Sequence, residues 1–113
     1  MVQNGTMTAE TEFVSIADDL APAGVVLGHM FGARALYFNG KALGCLLRSD
    51  NAVFKLGRAS TAHADALLIP DARLFYPGGG TRAFKDWVEV PQNQSAHWPE
   101  LAESALNAAA TTP

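Results

Sequence analysis

The sequence predicts an α+β domain with two layers, an antiparallel sheet and helices packed on one of its faces. Three observations predict it: helical spacing of apolar residues near both ends of the chain, short β-rich runs between them, and tight turns that join those runs into groups. Strands grouped by tight turns pair antiparallel, and helices that segregate to one face complete the second layer. The predicted order of elements is α-β3-α-β2-α.

Length and composition define the class of protein. The chain has 113 residues, of which 49% are apolar and 17% charged, so it suits one domain and is too apolar for a disordered chain. Its single cysteine, Cys45, excludes an internal disulfide and fits a reducing compartment. The first residues lack the features of a signal peptide, and no apolar run is long enough to span a bilayer. We therefore expect a cytoplasmic protein with no membrane partner.

The first helix is predicted over residues 8–20. Four apolar residues from Phe13 to Leu20 recur at the spacing of one helical face, and Pro22 ends the run. Residues 1–7 are polar or small and are predicted to form a frayed tail.

Three strands are predicted next, over residues 32–38, 41–48 and 52–57. The dipeptide Asn39-Gly40 separates the first two and is typical of a type I′ turn, in which both residues have positive φ. Gly44 within the second strand predicts a bulge or a close backbone contact. On the third strand Val53 and Lys55 share one face, as expected of a sheet with one solvated side.

A short helix, a second hairpin and a last helix follow. The short helix is predicted over residues 59–68, the hairpin strands over 73–76 and 84–90, and the last helix from about Pro99. Ser60 or Thr61 is available to cap the short helix, and proline suits the first turn of the last one. The single domain therefore covers residues 8–110, and 111–113 form a second tail.

Charge is unevenly distributed along the chain. There are 8 Lys and Arg and 11 Asp and Glu, a formal charge of −3, which argues against a general nucleic-acid binder. The three central strands nevertheless carry a basic set. It indicates either a stripe for a nucleic acid or an acidic partner, or charges that protect solvated strand edges. The set comprises Arg34, Lys41, Arg48, Lys55 and Arg58.

No motif predicts catalysis, and we expect neither a metal nor another cofactor. The three histidines, His29, His63 and His97, lack the close spacing of metal ligands. Cys45 lies among leucines, where burial raises the pKa of a thiol and makes it inert. The glycine run at 78–80 lacks the frame of a phosphate-binding loop. The chain is therefore not predicted to be an enzyme.

Four short segments carry a resemblance to a known family. They are Met30-Phe31-Gly32, Leu36 to Lys41 around the turn, Phe54-Lys55-Leu56, and Trp87 to Pro91 before the last helix. In this order and spacing, the chain resembles the N-terminal domain of the TfoX/Sxy competence-regulator family over residues 8–110. The resemblance implies the two-layer α-β3-α-β2-α fold, shared with type III secretion chaperones. Regulators of this kind carry a second, helical domain that this sequence lacks, so their roles in DNA uptake and transcription do not transfer.

The predicted function is a non-enzymatic regulatory or protein-interaction module. It would bind a partner protein, or a second copy of itself as a homodimer, through an open sheet face or an edge strand. The alternative is a nucleic-acid-associated regulator of transcription or competence that uses the basic segment 31–58. The candidate interaction surface comprises Arg34, Tyr37, Lys41, Lys55, Arg58, Arg82 and Trp87.

Overall fold

The structure is a computed structural model that describes residues 8–30 and 32–111. Helices and antiparallel strands make up these ranges, and the predicted α+β fold class is confirmed. The helices are α1 (Ala9–Leu20), α2 (Thr61–Ala66) and α3 (Trp98–Thr111). The strands are β1 (Val25–Met30), β2 (Ala33–Phe38), β3 (Lys41–Leu46), β4 (Ala52–Lys55), β5 (Arg73–Phe75) and β6 (Phe84–Val90).

The strands form one sheet in the order β1-β2-β3-β4-β6-β5, and every neighbouring pair is antiparallel. β1 lies ahead of the predicted three-stranded group, which therefore has four strands in the structure. Sequence pattern missed β1 because Gly28 and His29 interrupt its short apolar run. β1 is an edge strand with only β2 beside it, and its glycine is covered by a side chain of that neighbouring strand.

α1 begins where the Thr8 Oγ1 atom accepts a hydrogen bond from the Thr11 amide at 3.0 Å. This cap satisfies one of the free amides of the first helical turn. The predicted apolar face is buried at Phe13, Ile16 and Ala17. Gly24, with a φ of +104°, then turns the chain into β1. Residues 1–7, predicted to be a tail, lie outside the described residues.

Two local predictions within the sheet are confirmed. Asn39 and Gly40 have φ values of +51° and +78°, the positive pair that a type I′ turn requires. β3 is bulged at Gly44, since the step from Leu36 to Tyr37 on β2 spans two residues on β3. A Cβ atom on Gly44 would lie 2.8 Å from the carbonyl oxygen of Val53, so this position accepts only glycine without a backbone shift.

All three helices contact the same face of the sheet and enclose the main core. Its largest fully buried side chains are Phe13, Leu36, Leu43, Phe54, Leu56 and Trp98. Trp98 stands at the start of α3, and its indole Nε1 donates to the Val90 carbonyl at 3.3 Å. This bond leaves the buried indole N–H satisfied.

α2 is short and is held by an N-cap and by a histidine side chain. Ser60 Oγ accepts from the His63 amide at 3.0 Å, as the predicted N-cap does, and the helix ends at Ala66 rather than near residue 68. The His63 ring is buried, and its Nε2 lies 2.7 Å from the Lys85 carbonyl. Because a carbonyl only accepts, Nε2 carries the proton and donates. The histidine therefore fastens α2 to β6.

The ends of several elements differ from the predicted ones. β3 and β4 end two residues early, at Leu46 and Lys55, because turns with positive φ follow them, at Asp50 and Gly57. α3 extends through Thr111, which was predicted to belong to the tail, and residues 112–113 lie outside the described residues. None of the helices in the described ranges is long and apolar enough to cross a membrane.

Candidate interaction surface on the open sheet face

The open face is the side of the sheet opposite the three described helices. A second, smaller apolar cluster lies there. At its centre, Ala35, Cys45 and Val53 are almost completely buried, together with Phe75 toward the β5 edge. A rim of larger or half-buried side chains surrounds this centre: Met30, Ala33, Tyr37, Leu47 and Trp87. The small residues of the centre are thus covered by their neighbours, and the rim meets solvent.

Tyr37 lies flat across β1. A Cβ atom on Gly28 would sit 3.0 Å from two carbons of the Tyr37 ring, so the ring occupies the space that a side chain would take there. Its hydroxyl donates to the His29 carbonyl at 2.8 Å. An aromatic ring that covers a strand glycine replaces the packing that the glycine lacks. The same arrangement fixes the ring beside the rim.

A cavity of about 640 Å³ opens on the open face near the β5 edge. Cys45, Leu47 and Phe75 line its apolar part, and Arg48 and Arg73 are among its polar lining residues. Close by, the exposed Phe84 ring meets the Phe75 ring edge-on, with centroids 5.9 Å apart. Cavities of this size, apolar with a few charged groups, suit a small molecule or one or two side chains of a partner.

Glu89 is the buried acid of the open face, and it is paired. Asn51 Nδ2 donates to its carboxylate at 2.9 Å, and the Arg73 guanidinium lies 3.6 Å from the same oxygen. Arg73 is mostly exposed, so its outer side remains available to a ligand. Burial raises the pKa of the Cys45 thiol, as the sequence predicted, which keeps it protonated and unreactive.

The two layers of the domain carry opposite charge. The three helices contain acidic residues and no lysine or arginine: Glu10, Glu12, Asp18, Asp19, Asp65, Glu100 and Glu103. The strands contain mostly basic ones, Arg34, Lys41, Lys55, Arg73 and Lys85, against Asp86 and Glu89. A chain with a net charge of −3 therefore presents its positive charge on the sheet.

Three of the seven predicted surface residues come together on the open face. Tyr37 and Trp87 belong to its rim. Lys55 is exposed directly opposite Trp87 in the register of β4 and β6. These three place aromatic surface beside a cation, and Lys55 also lines a second cavity with Asp86 and with Ala105 of α3. Arg82 is exposed in the loop that leads into β6.

The remaining three predicted residues make contacts elsewhere. Arg34 pairs with Glu10 of α1 at 3.1 Å, and Lys41 Nζ donates to the Ala109 carbonyl of α3 at 3.3 Å. Arg58 pairs with Asp86 at 2.9 Å. The basic residues of segment 31–58 therefore do not line up as one stripe.

The Arg58–Asp86 pair is the strongest electrostatic contact among the described residues. Hydrogen bonds from the Arg58 side chain and backbone amide lower the pKa of Asp86 from 3.8 to about 2, although partial burial acts the other way. Asp86 in turn raises the pKa of Arg58. The Asp86 carbonyl also accepts from the amides of Leu56 and Gly57. This cluster holds the end of β4 to β6 and has a structural role.

The candidate surface predicted from the sequence leaves out several residues of the open face, of which only Arg48 had been named, as a member of the basic set: Leu47, Arg48, Arg73, Phe75 and Glu89. Alternation along each strand identified the side chains that share a face, Val53 with Lys55 on β4 and Trp87 with Glu89 on β6. Alternation along a strand does not show that β5 and the end of β3 line the same cavity, because their proximity depends on the order of the strands in the sheet.

Among the described residues, no group of three His, Cys, Asp or Glu side chains is placed to hold a metal ion. Comparison of the chain with protein-family models, with curated proteins and with solved structures finds no match. The resemblance to the TfoX/Sxy N-terminal domain therefore stays a prediction.

Proposed function

We propose that this protein is a non-enzymatic, cytoplasmic interaction module whose open face binds an acidic, partly apolar segment of a partner protein. The observation that carries the proposal is the composition of that face, where half-buried apolar and aromatic side chains stand among cations. Half-buried aromatic residues beside a dry centre are the usual anchors of protein interfaces. The resemblance to a regulatory domain is consistent with such a role.

The contact would combine two kinds of interaction. Trp87 and Tyr37 offer large apolar surface that loses little side-chain entropy on binding. The cavity beside Cys45 accepts an apolar side chain of the partner. Arg48 and Arg73, which line that cavity, then select for carboxylates around that side chain, and Lys55 adds a cation opposite Trp87. The acidic helices repel such a segment, so the same charge distribution directs it to the open face.

A nucleic acid is the competing ligand for a basic surface. The flat ring of Tyr37 is the kind of platform on which bases stack. The rim of the face favours a protein instead, because Met30, Leu47 and Trp87 give it an uncharged, apolar character. The acidic helix layer would also repel a long phosphate backbone.

The experiment is selection from a random peptide library displayed on phage, with the wild-type protein as bait. We expect enriched peptides that contain aspartate or glutamate next to a large apolar residue. Their affinity should fall by about thirtyfold or more for Trp87→Ala, as for other buried aromatic anchors. For Lys55→Glu it should fall by about tenfold, and added salt should weaken wild-type binding.

Leu68→Ala is the matched control, because Leu68 is 82% exposed and lies in the turn after α2. The same peptides should bind this variant as they bind wild type. Peptides that bind Trp87→Ala and wild type equally would refute the proposal. Binding of a single-stranded oligonucleotide, with no peptide enriched, would establish the nucleic-acid alternative in its place.

A further inference from the structure

The two edges of the sheet are protected to different degrees. β5 is three residues long, begins with Arg73 and is followed by Pro77, all features that prevent another strand from adding there. β1 is six residues long, has no lysine, glutamate, aspartate, arginine or proline, and pairs with β2 without a bulge. Natural proteins rarely leave an edge of this kind free.

The backbone groups of β1 that face outward can be identified. In an antiparallel strand, alternate residues direct both N–H and C=O away from the neighbouring strand. The His29 carbonyl accepts from the hydroxyl of Tyr37, whose ring extends from β2 across β1, so we place this carbonyl on the outward side, with its second lone pair left for another donor. The outward set is then Val25, Leu27 and His29, and Leu27 stands at its centre.

We infer that β1 pairs antiparallel with β1 of a second copy of this chain, about a two-fold axis at Leu27. In this register the backbone of Val25 meets that of His29 of the second copy, and Leu27 meets its own equivalent. The Val25–His29 pair and the Leu27–Leu27 pair both join outward-facing backbone groups, so the two strands form a regular antiparallel ladder. The two sheets become one continuous sheet, and the open face stays uncovered on both copies.

Side chains support a second copy as the occupant. The register places Val26, which is 62% exposed, opposite Gly28 of the second copy. Gly28 has no side chain of its own, and the Tyr37 ring that occupies the space beside it provides an apolar surface for the valine. Because of the two-fold axis, the contact between Val26 and Gly28 occurs twice in the dimer. β1 carries no Lys, Arg, Asp or Glu, so no like charges of these residues are brought together. One strand pair is smaller than a standard interface, so we expect a dimer of micromolar affinity.

The test is sedimentation of the full chain between about 1 µM and 1 mM, a range that brackets micromolar dimerisation. Two variants address the edge: Val26→Lys, which puts a charge against the Tyr37 ring of the second copy, and His29→Pro, which removes an outward N–H that an isolated edge strand can spare. Each should weaken the dimer by about tenfold or more, since each change is counted twice across the axis. Leu68→Lys is the control for Val26→Lys, because it also replaces an exposed apolar side chain by lysine but lies away from β1.

Amide hydrogen exchange provides a second readout. The amides of Val25, Leu27 and His29 should become protected as protein concentration rises. In both edge variants the Val25 and Leu27 amides should stay unprotected while the β3 amides keep their protection. A protein that remains monomeric over the whole range would overturn the inference. So would a dimer that survives both edge changes, and loss of the dimer in Trp87→Ala alone would move the interface to the open face.

Discussion

The two faces of this sheet are built from the same strands and are covered to different degrees. Under the helices, Phe54 and Trp98 are fully buried, and their neighbours form the larger apolar cluster. On the open face, Val53 is just as buried, but only because half-exposed rim residues such as Trp87 surround it. A sheet with helices on one side thus keeps its second face dry at the centre and leaves the rim for contact. We expect changes under the helices to lower stability, and changes at the rim to affect binding.

The largest difference in the loss of stability is expected between alanine substitutions of the two tryptophans. Trp98→Ala removes a fully buried indole and its bond to the Val90 carbonyl, and should lower the free energy of unfolding by about 3–5 kcal/mol. Trp87→Ala removes a half-buried ring at the rim and should cost about 1 kcal/mol. Urea unfolding of the two variants measures both values. Equal losses would mean that the open face is a folding core like the other.

Alanine substitutions at two glycines, one facing the helices and one on the open face, should also differ in their loss of stability, by a smaller amount. Gly44→Ala puts a methyl group 2.8 Å from the Val53 carbonyl, a backbone atom, and should cost about 2 kcal/mol. Gly28→Ala meets only the Tyr37 ring, a half-buried side chain that can shift more easily than a backbone atom even though its hydroxyl is bonded to His29, and should cost less than about 1 kcal/mol. The midpoints of thermal unfolding should show this order. The reverse order would show that the Tyr37 ring is held more rigidly than the bulge.

The smallest effect is expected from the Arg58–Asp86 pair. Its folded-state pKa of about 2, against 3.8, means that Asp86 contributes stability above pH 3.8 that is lost as the pH falls toward 2. Both side chains are substantially exposed, so solvent screens the pair and its contribution should be small. Asp86→Asn and Arg58→Met should each flatten the dependence of stability on pH over this window. A profile that is as steep in both variants as in wild type would assign the acid sensitivity to other carboxylates.

Local chemistry made much of the fold predictable. Asn39-Gly40, Gly44, Ser60 and Pro99 each act through backbone conformation or capping that depends on a few neighbouring residues, and each is found in its predicted role. β1 was missed for the opposite reason. Its Gly28 is stabilised by Tyr37, a residue of the next strand, and no property of the segment itself indicates that contact.

The candidate surface was predictable only in part, for a similar reason. Alternation along one strand places Lys55 and Trp87 on their faces, but the cavity requires the ends of β3 and β5 to meet around Cys45. That meeting depends on the strand order, in which β6 lies between β4 and β5. Of the basic set, Arg34, Lys41 and Arg58 have partners within the domain, which the sequence pattern alone did not indicate.

The most direct measurement is a titration of the isotope-labelled protein with an acidic peptide obtained by the selection, followed through amide and indole NMR signals. The account predicts shifts at the Trp87 indole and at the amides of Tyr37 and Cys45, with the α1 and α3 amides unchanged. Shifts confined to α1 or α3, with the Trp87 indole unaffected, would contradict the assignment of the open face as the binding surface.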